Sequence, residues 1–86
     1  MYSLYLLKHS ITKELYIGKT SNLKRRLDEH NSGKQVSTHR KGGEWNIVYV
    51  EIYKSKSDAD IRELKLKQHG SSKRELLKRI KSSLED

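Results

Sequence analysis

Residues Leu15–Thr20 read LYIGKT. In an extended strand successive side chains take opposite faces, so Leu15 and Ile17 point one way and Tyr16 points the other. A glycine then breaks the run, and a lysine and a threonine follow. Core filling alone does not ask for a tyrosine opposite the aliphatic pair, directly before a glycine, in a chain of net charge +8.

Upstream, Tyr2–Leu7 (YSLYLL) alternates well enough for a strand, and Glu14–Gly18 makes a second. The intervening KHSITK is short enough for a hairpin, although it lacks the Asn-Gly signal. With an even number of loop residues, Tyr5 and Tyr16 share one sheet face, opposite or diagonal to each other. Downstream, Asn22–Asn31 (NLKRRLDEHN) predicts a helix with Ser21 as N-cap, stopped by Asn31, Ser32 and Gly33. The stretch KQVSTHRKGGE reads as a loop. Trp45–Tyr53 (WNIVYVEIY) predicts a third strand, and its dense apolar content predicts a central one buried on both faces. Asp58–His69 predicts a second helix closing at Gly70. A third opens with Ser72 and Glu75 in capping-box spacing and carries a stripe of Leu76, Leu77, Ile80 and Leu84. The expected fold is a small α+β unit: a three-stranded antiparallel sheet flanked by three helices, one domain over residues 1–86.

The charge arises from 19 lysines and arginines against 11 aspartates and glutamates. An excess of this size on a small body favours a polyanion, nucleic acid before a membrane surface. No segment has the one-sided amphipathic pattern of a membrane-binding helix. Without cysteine there is no disulfide framework and no thiolate metal site, and four histidines alone do not predict a structural zinc site. Nothing resembles a targeting segment, so an intracellular, cytoplasmic protein is expected.

Helical spacing exposes a second oddity. Leu23 and Leu27 lie four apart and face the core, while Arg26 and His30, also four apart, project close to the same stripe. They either cap the core edge, with the arginine stem over apolar surface, or serve a site. In the following helix Glu63 sits between Ala59 and Leu66 near the apolar stripe. A carboxylate there wants a cation, either a basic side chain or a divalent metal.

These residues together resemble the GIY-YIG nuclease superfamily, and most closely its small single-domain branch. Tyr16-Ile17-Gly18 is the second motif intact. Ser3-Leu4-Tyr5 stands in the place of the first, keeping only its tyrosine, and Thr20 follows at the usual interval. The segments LKRRLDEHN, NSGK, WNIVYVEIY and DADIRELKLKQHG also look like the small-branch pattern. The chain departs from it in lacking the first motif's glycine and isoleucine, a late asparagine after Glu63, and a proline before the third strand.

The resemblance implies a metal-dependent endonuclease that hydrolyses phosphodiester bonds. Tyr16 or Tyr5 would be the general base, Arg26 the group on the scissile phosphate, and His30 the acceptor or holder of the tyrosine hydroxyl. Glu63 would be the ligand of one Mg²⁺ or Mn²⁺, and Gly18 and Thr20 would be motif residues. Lys19, Lys24, Arg25, Lys34, His39, Arg40 and Lys41 cluster by sequence around the first helix and the following loop. They are the expected contacts to backbone phosphates, with binding that weakens steeply as salt rises. DNA is the expected partner, no membrane is, and the chain is expected as a monomer or weak homodimer. With no appended reader, cleavage should be weakly sequence-specific or structure-selective. The alternative is a nucleic-acid-binding module of the same fold that does not cut.

Overall fold

The structure is a computed structural model and describes residues 1–33 and 38–85. Three strands, β1 (Tyr2–His9), β2 (Leu15–Thr20) and β3 (Trp45–Tyr53), form one antiparallel sheet in the order β2-β1-β3. Helix α1 (Leu23–Asn31) follows β2, and α2 (Lys56–Gln68), α3 (Gly70–Arg79) and α4 (Lys81–Glu85) follow β3.

The central strand is β1, not β3. Leu4, Tyr5, Leu6 and Leu7 are all buried, a continuous run that suits a strand covered on both faces. One face gathers Tyr5, Leu7, Tyr16, Val50 and Trp45 under Leu23 and Leu27 of α1. The other gathers Leu4, Leu6 and Ile17 under Leu66 of α2, Leu76 of α3 and Ile80 between α3 and α4. Strand β3 lies at an edge, and Ile52 on it is 65% exposed. Its dense apolar reading has another cause. The register slips between Leu6 and Leu7, which face Tyr49 and Ile47, so Val48 is an extra residue. Such a bulge resets the alternation. Tyr49 then packs on the α2 side while Trp45 turns to the α1 side.

The helix ends also differ from expectation in detail. The N-cap of α1 is Asn22 rather than Ser21; its side chain accepts from the Arg25 N–H at 3.1 Å. Ser55 caps α2 and accepts from the Asp58 N–H. The Ser72–Glu75 box does not start a helix: α3 begins two residues earlier, at Gly70, after His69, without a side-chain cap. The last stripe is divided at Ile80 into α3 and α4, giving four helices among the described residues where three were expected. No helix among the described residues is long and apolar enough to cross a membrane.

Candidate nuclease site

The hairpin register pairs Tyr5 with Gly18 and Leu7 with Tyr16, so the two tyrosines are diagonal on the α1 face. Their ring centroids are 6.3 Å apart. The glycine of LYIGKT is required by this packing. A Cβ on Gly18 would lie 2.3 Å from the Tyr5 hydroxyl oxygen and 2.4 Å from Cζ, so the ring rests directly on its backbone. Thr20 anchors the start of α1: its hydroxyl accepts from the Asn22 N–H at 3.1 Å and donates to the Asn22 carbonyl at 3.3 Å.

From α1, Arg26 and His30 reach the same phenol. The Arg26 Nε–H donates to the Tyr5 oxygen at 3.4 Å, and Tyr5 is hydrogen-bonded to His30 Nε2 at 2.9 Å. His30 also sets its ring against Tyr16, edge to face, at 4.9 Å. Tyr5 is 1% exposed and His30 2%, whereas Tyr16 is half-buried. Arg26 keeps part of its guanidinium at the surface, with Nη1 on Glu29 at 3.3 Å and no partner for Nη2 among the described residues.

Helix α2 supplies the opposite wall. Asp60, Glu63 and Lys67 recur at helical spacing along one side. Asp60 pairs with Lys19 of β2 and with Lys56. Lys67 Nζ lies 3.4 Å from Glu63 and 5.8 Å from the centre of the Tyr16 ring. The Glu63 carboxylate acts through its charge on both the Tyr5 phenol and the Lys19 ammonium.

These neighbours set the charge states. Burial pushes the Tyr5 phenol up; the Arg26 hydrogen bond opposes this, and the Tyr16 and Glu63 charges add to it. Burial, and after it the Arg26 charge, holds the His30 imidazole below its ordinary 6.5, with Glu29 opposing. His30 is therefore neutral at pH 7. The hydrogen bond to Asp60 raises Lys19, and Lys19 followed by Lys56 lowers Asp60.

The buried His30 gives stability a pH dependence. Unfolded, it takes a proton near its ordinary value; folded, it resists until lower pH. The unfolded chain therefore binds more protons between the two values. This contribution is complete above about pH 6.5 and is lost as pH falls through the folded pKa. Denaturation midpoints should drop from pH 7 to pH 5, and His30→Gln should flatten that slope. Equal slopes in both proteins would contradict a neutral, buried imidazole.

A family model described as the GIY-YIG catalytic domain matches residues 1–82. This chain belongs to the GIY-YIG family. A UPF0213 protein of Syntrophus aciditrophicus is 38% identical over 82 residues, 94% of this chain and 91% of that one. A UPF0213 protein of Oceanobacillus iheyensis is 38% identical over 56 residues, and the match spans 65% of each chain. The solution NMR structure of a UPF0213 protein from Bacillus halodurans superposes with a TM-score of 0.57 at 29% identity, covering 94% of this chain and 86% of that one. GIY-YIG membership carries a nuclease-superfamily relationship and a nucleic-acid substrate class.

The basic residues around this GIY-YIG site are unequally placed. Lys19 lies on the α2 side of the sheet, opposite the tyrosine pair, where it pairs with Asp60. Lys24, Arg25, His39 and Lys41 are exposed, and Lys34 lies outside the described residues. Arg40 forms a two-pronged pair with Glu14 at 2.8 and 2.7 Å, which pulls the Glu14 carboxyl down to about 2. Two further residues approach the site. Lys67 is flagged only by its i+4 spacing from Glu63. Thr38, buried against His30, lies in a polar loop with no periodicity to mark it.

For a divalent ion the donor set is a single carboxylate. Among the described residues no cluster of three or more His, Asp or Glu side chains is placed to hold a metal. The Glu63 side chain is 23% exposed. A small hard cation that keeps several waters and takes substrate phosphate oxygens needs no more than this from the protein. The residues therefore fit Mg²⁺ or Mn²⁺ held at an open site, and do not fit a closed structural ion.

Proposed function

We propose that residues 1–86 form a single endonuclease domain that hydrolyses phosphodiester bonds of DNA with one Mg²⁺ or Mn²⁺, with weak sequence specificity or selectivity for branched structure. The observation that carries this proposal is convergence. From helices that follow different strands, Arg26 hydrogen-bonds the phenol of Tyr5, and Lys67, the ion-pair partner of Glu63, lies over the ring of the accessible Tyr16. Arg26 and Glu63 each have an ion-pair partner on their own helix, Glu29 for Arg26 and Lys67 for Glu63.

In the proposed reaction the nucleophile is water, and Tyr16, after giving its own phenol proton to solvent at its accessible face, is the base that takes the water's proton. Of the two tyrosines only Tyr16 has surface exposed to a substrate. Lys67 lies over the Tyr16 ring and pairs with Glu63, which links the base to the carboxylate. Arg26 presents a planar fork to the non-bridging oxygens of the scissile phosphate, while Tyr5 and Glu29 fix the direction of its guanidinium. His30 holds the Tyr5 hydroxyl and through it the arginine. Glu63 would hold the ion, which when bound supplies charge neutralisation at the phosphate and the leaving oxygen. Lys19, Lys24 and Arg25 provide phosphate contacts on either side, and these position a strand without reading its sequence.

The test is a cleavage panel of single-stranded, duplex, flap and branched DNA with matched RNA, each with Mg²⁺, with Mn²⁺ and with chelator. Metal-dependent cutting of at least one DNA substrate is expected, with branched or flap forms cut faster than plain duplex. Failure to cut any member of the panel would overturn the proposal.

A further inference from the structure

His30 makes two hydrogen bonds through its ring, and they are not interchangeable. Nε2 meets the Tyr5 hydroxyl at 2.9 Å, and Nδ1 meets the Thr38 hydroxyl at 2.7 Å. A neutral imidazole donates from one nitrogen and accepts at the other. We infer that Thr38 is the positioning residue that fixes the tautomer of His30, its hydroxyl accepting from Nδ1–H so that bare Nε2 faces the Tyr5 phenol.

The direction follows from Arg26. Its Nε–H is always a donor, and it points at the Tyr5 oxygen. The phenol therefore accepts on the arginine side and has one proton to give. Among the described residues, His30 Nε2 is the acceptor within reach. In the opposite tautomer both Arg26 and His30 would donate to the same oxygen, leaving a phenolic proton unpaired in a site where Tyr5 is 1% exposed. Buried polar groups are rarely left so. With Nδ1–H donating to Thr38, every ring and phenol position is satisfied.

Thr38 is built into place for this. It is 1% exposed, and its carbonyl accepts from the Trp45 indole N–H at 2.8 Å. Trp45 is in turn gripped through its backbone by Asn31, the residue after His30. The Asn31 amide oxygen accepts from the Trp45 N–H at 2.6 Å, and its NH₂ donates to the Trp45 carbonyl at 3.1 Å. The ring of contacts His30, Asn31, Trp45, Thr38 closes on itself and joins α1, β3 and the loop. The bulge at Val48 is what brings Trp45 to the α1 face. The consequence is that the Tyr5 proton is committed to His30, which leaves the Tyr5 oxygen as an acceptor that aims Arg26.

The tautomer stands apart from the nuclease proposal; only its effect on cleavage rests on that reading. The experiment uses the ¹⁵N-labelled full chain without substrate, at a pH where His30 is neutral. Long-range proton–nitrogen correlation spectra distinguish a protonated from a bare ring nitrogen. Nδ1 is expected to be protonated and Nε2 bare in the parent and in Thr38→Ser, with Thr38→Val shifting population toward protonated Nε2. A bare Nδ1 in the parent, or an unchanged spectrum in Thr38→Val, overturns the inference. If Thr38→Val does not fold, Thr38→Ala takes its place, with the same shift expected and an unchanged spectrum overturning the inference. On the cleavage side, Thr38→Val should lower kcat roughly 10–100-fold, the scale on which orienting partners of an imidazole act, with little change in KM. Thr38→Ser should restore it. A parent that cuts nothing would sink the nuclease reading while leaving the nitrogen assignment to be judged on its own spectrum.

Discussion

Arg26→Ala is expected to lower the rate of the proposed DNA cleavage by roughly 10²–10³, the cost of removing one preorganised charge stabiliser from a transition state. Both what holds the guanidinium and what it leaves open support this size. Nε is spent on Tyr5 and Nη1 on Glu29, which fix the plane of the fork. Nη2 has no protein partner among the described residues, and the side chain is 27% exposed. A side chain recruited only to cover the core edge would not need its plane fixed at one end and left open at the other. Arg26→Lys should recover only a small part of the loss, because an ammonium keeps the charge without the fork. Single-turnover rates at saturating DNA check this. A variant that cuts as fast as the parent, with its fold intact by circular dichroism, would place the chemistry elsewhere.

Gly18→Ala destabilises the protein by about 2 kcal/mol or more, within the range for overpacking a well-filled site. In an ordinary strand position the same change is favourable, since glycine costs roughly 0.5–1 kcal/mol relative to alanine. Here the sign reverses because the new methyl would lie 2.3 Å from the Tyr5 hydroxyl oxygen. The ring has nowhere to go: it is 1% exposed and held by His30 and Arg26. At this chain length the thermal midpoint should fall by roughly 8–16 °C. Cleavage should fall with it in any molecules that remain folded, because relief of the clash tilts Tyr5 away from the two side chains it aims. A midpoint equal to the parent's would mean that Tyr5 does not lie over Gly18.

How much of this was legible in the sequence depends on where the information is local. The tyrosine pair follows from strand parity alone, and the hairpin register has it. Arg26 and His30 beside Leu23 and Leu27 follow from the helical repeat, as does Glu63 between Ala59 and Leu66. The position of β3 was misread because a bulge imitates burial on both faces: one extra residue at Val48 puts apolar side chains in consecutive positions without covering the strand. The better indication was in β1, where Leu4–Leu7 are four apolar or aromatic residues in a row, and all four are buried. The unbroken stripe from Leu76 to Leu84 concealed the division at Ile80, where two short helices keep one apolar side. Thr38 was not legible at all. Its partners, His30 and Trp45, are brought to it by tertiary packing, and nothing in a polar loop sequence distinguishes a buried threonine from a solvated one.

The most direct test of the central claim, that Glu63 and the tyrosine pair form one metal-dependent site, is the cleavage rate of parent and Glu63→Gln as Mn²⁺ is raised from chelated solution to millimolar excess. Retention of the same DNA is measured in parallel. The parent should show no cutting under chelation and a saturable rise with Mn²⁺. Glu63→Gln should bind DNA as well as the parent yet stay uncut or demand far more metal. Cleavage that ignores the chelator, or a Glu63→Gln curve that superimposes on the parent's, would contradict it.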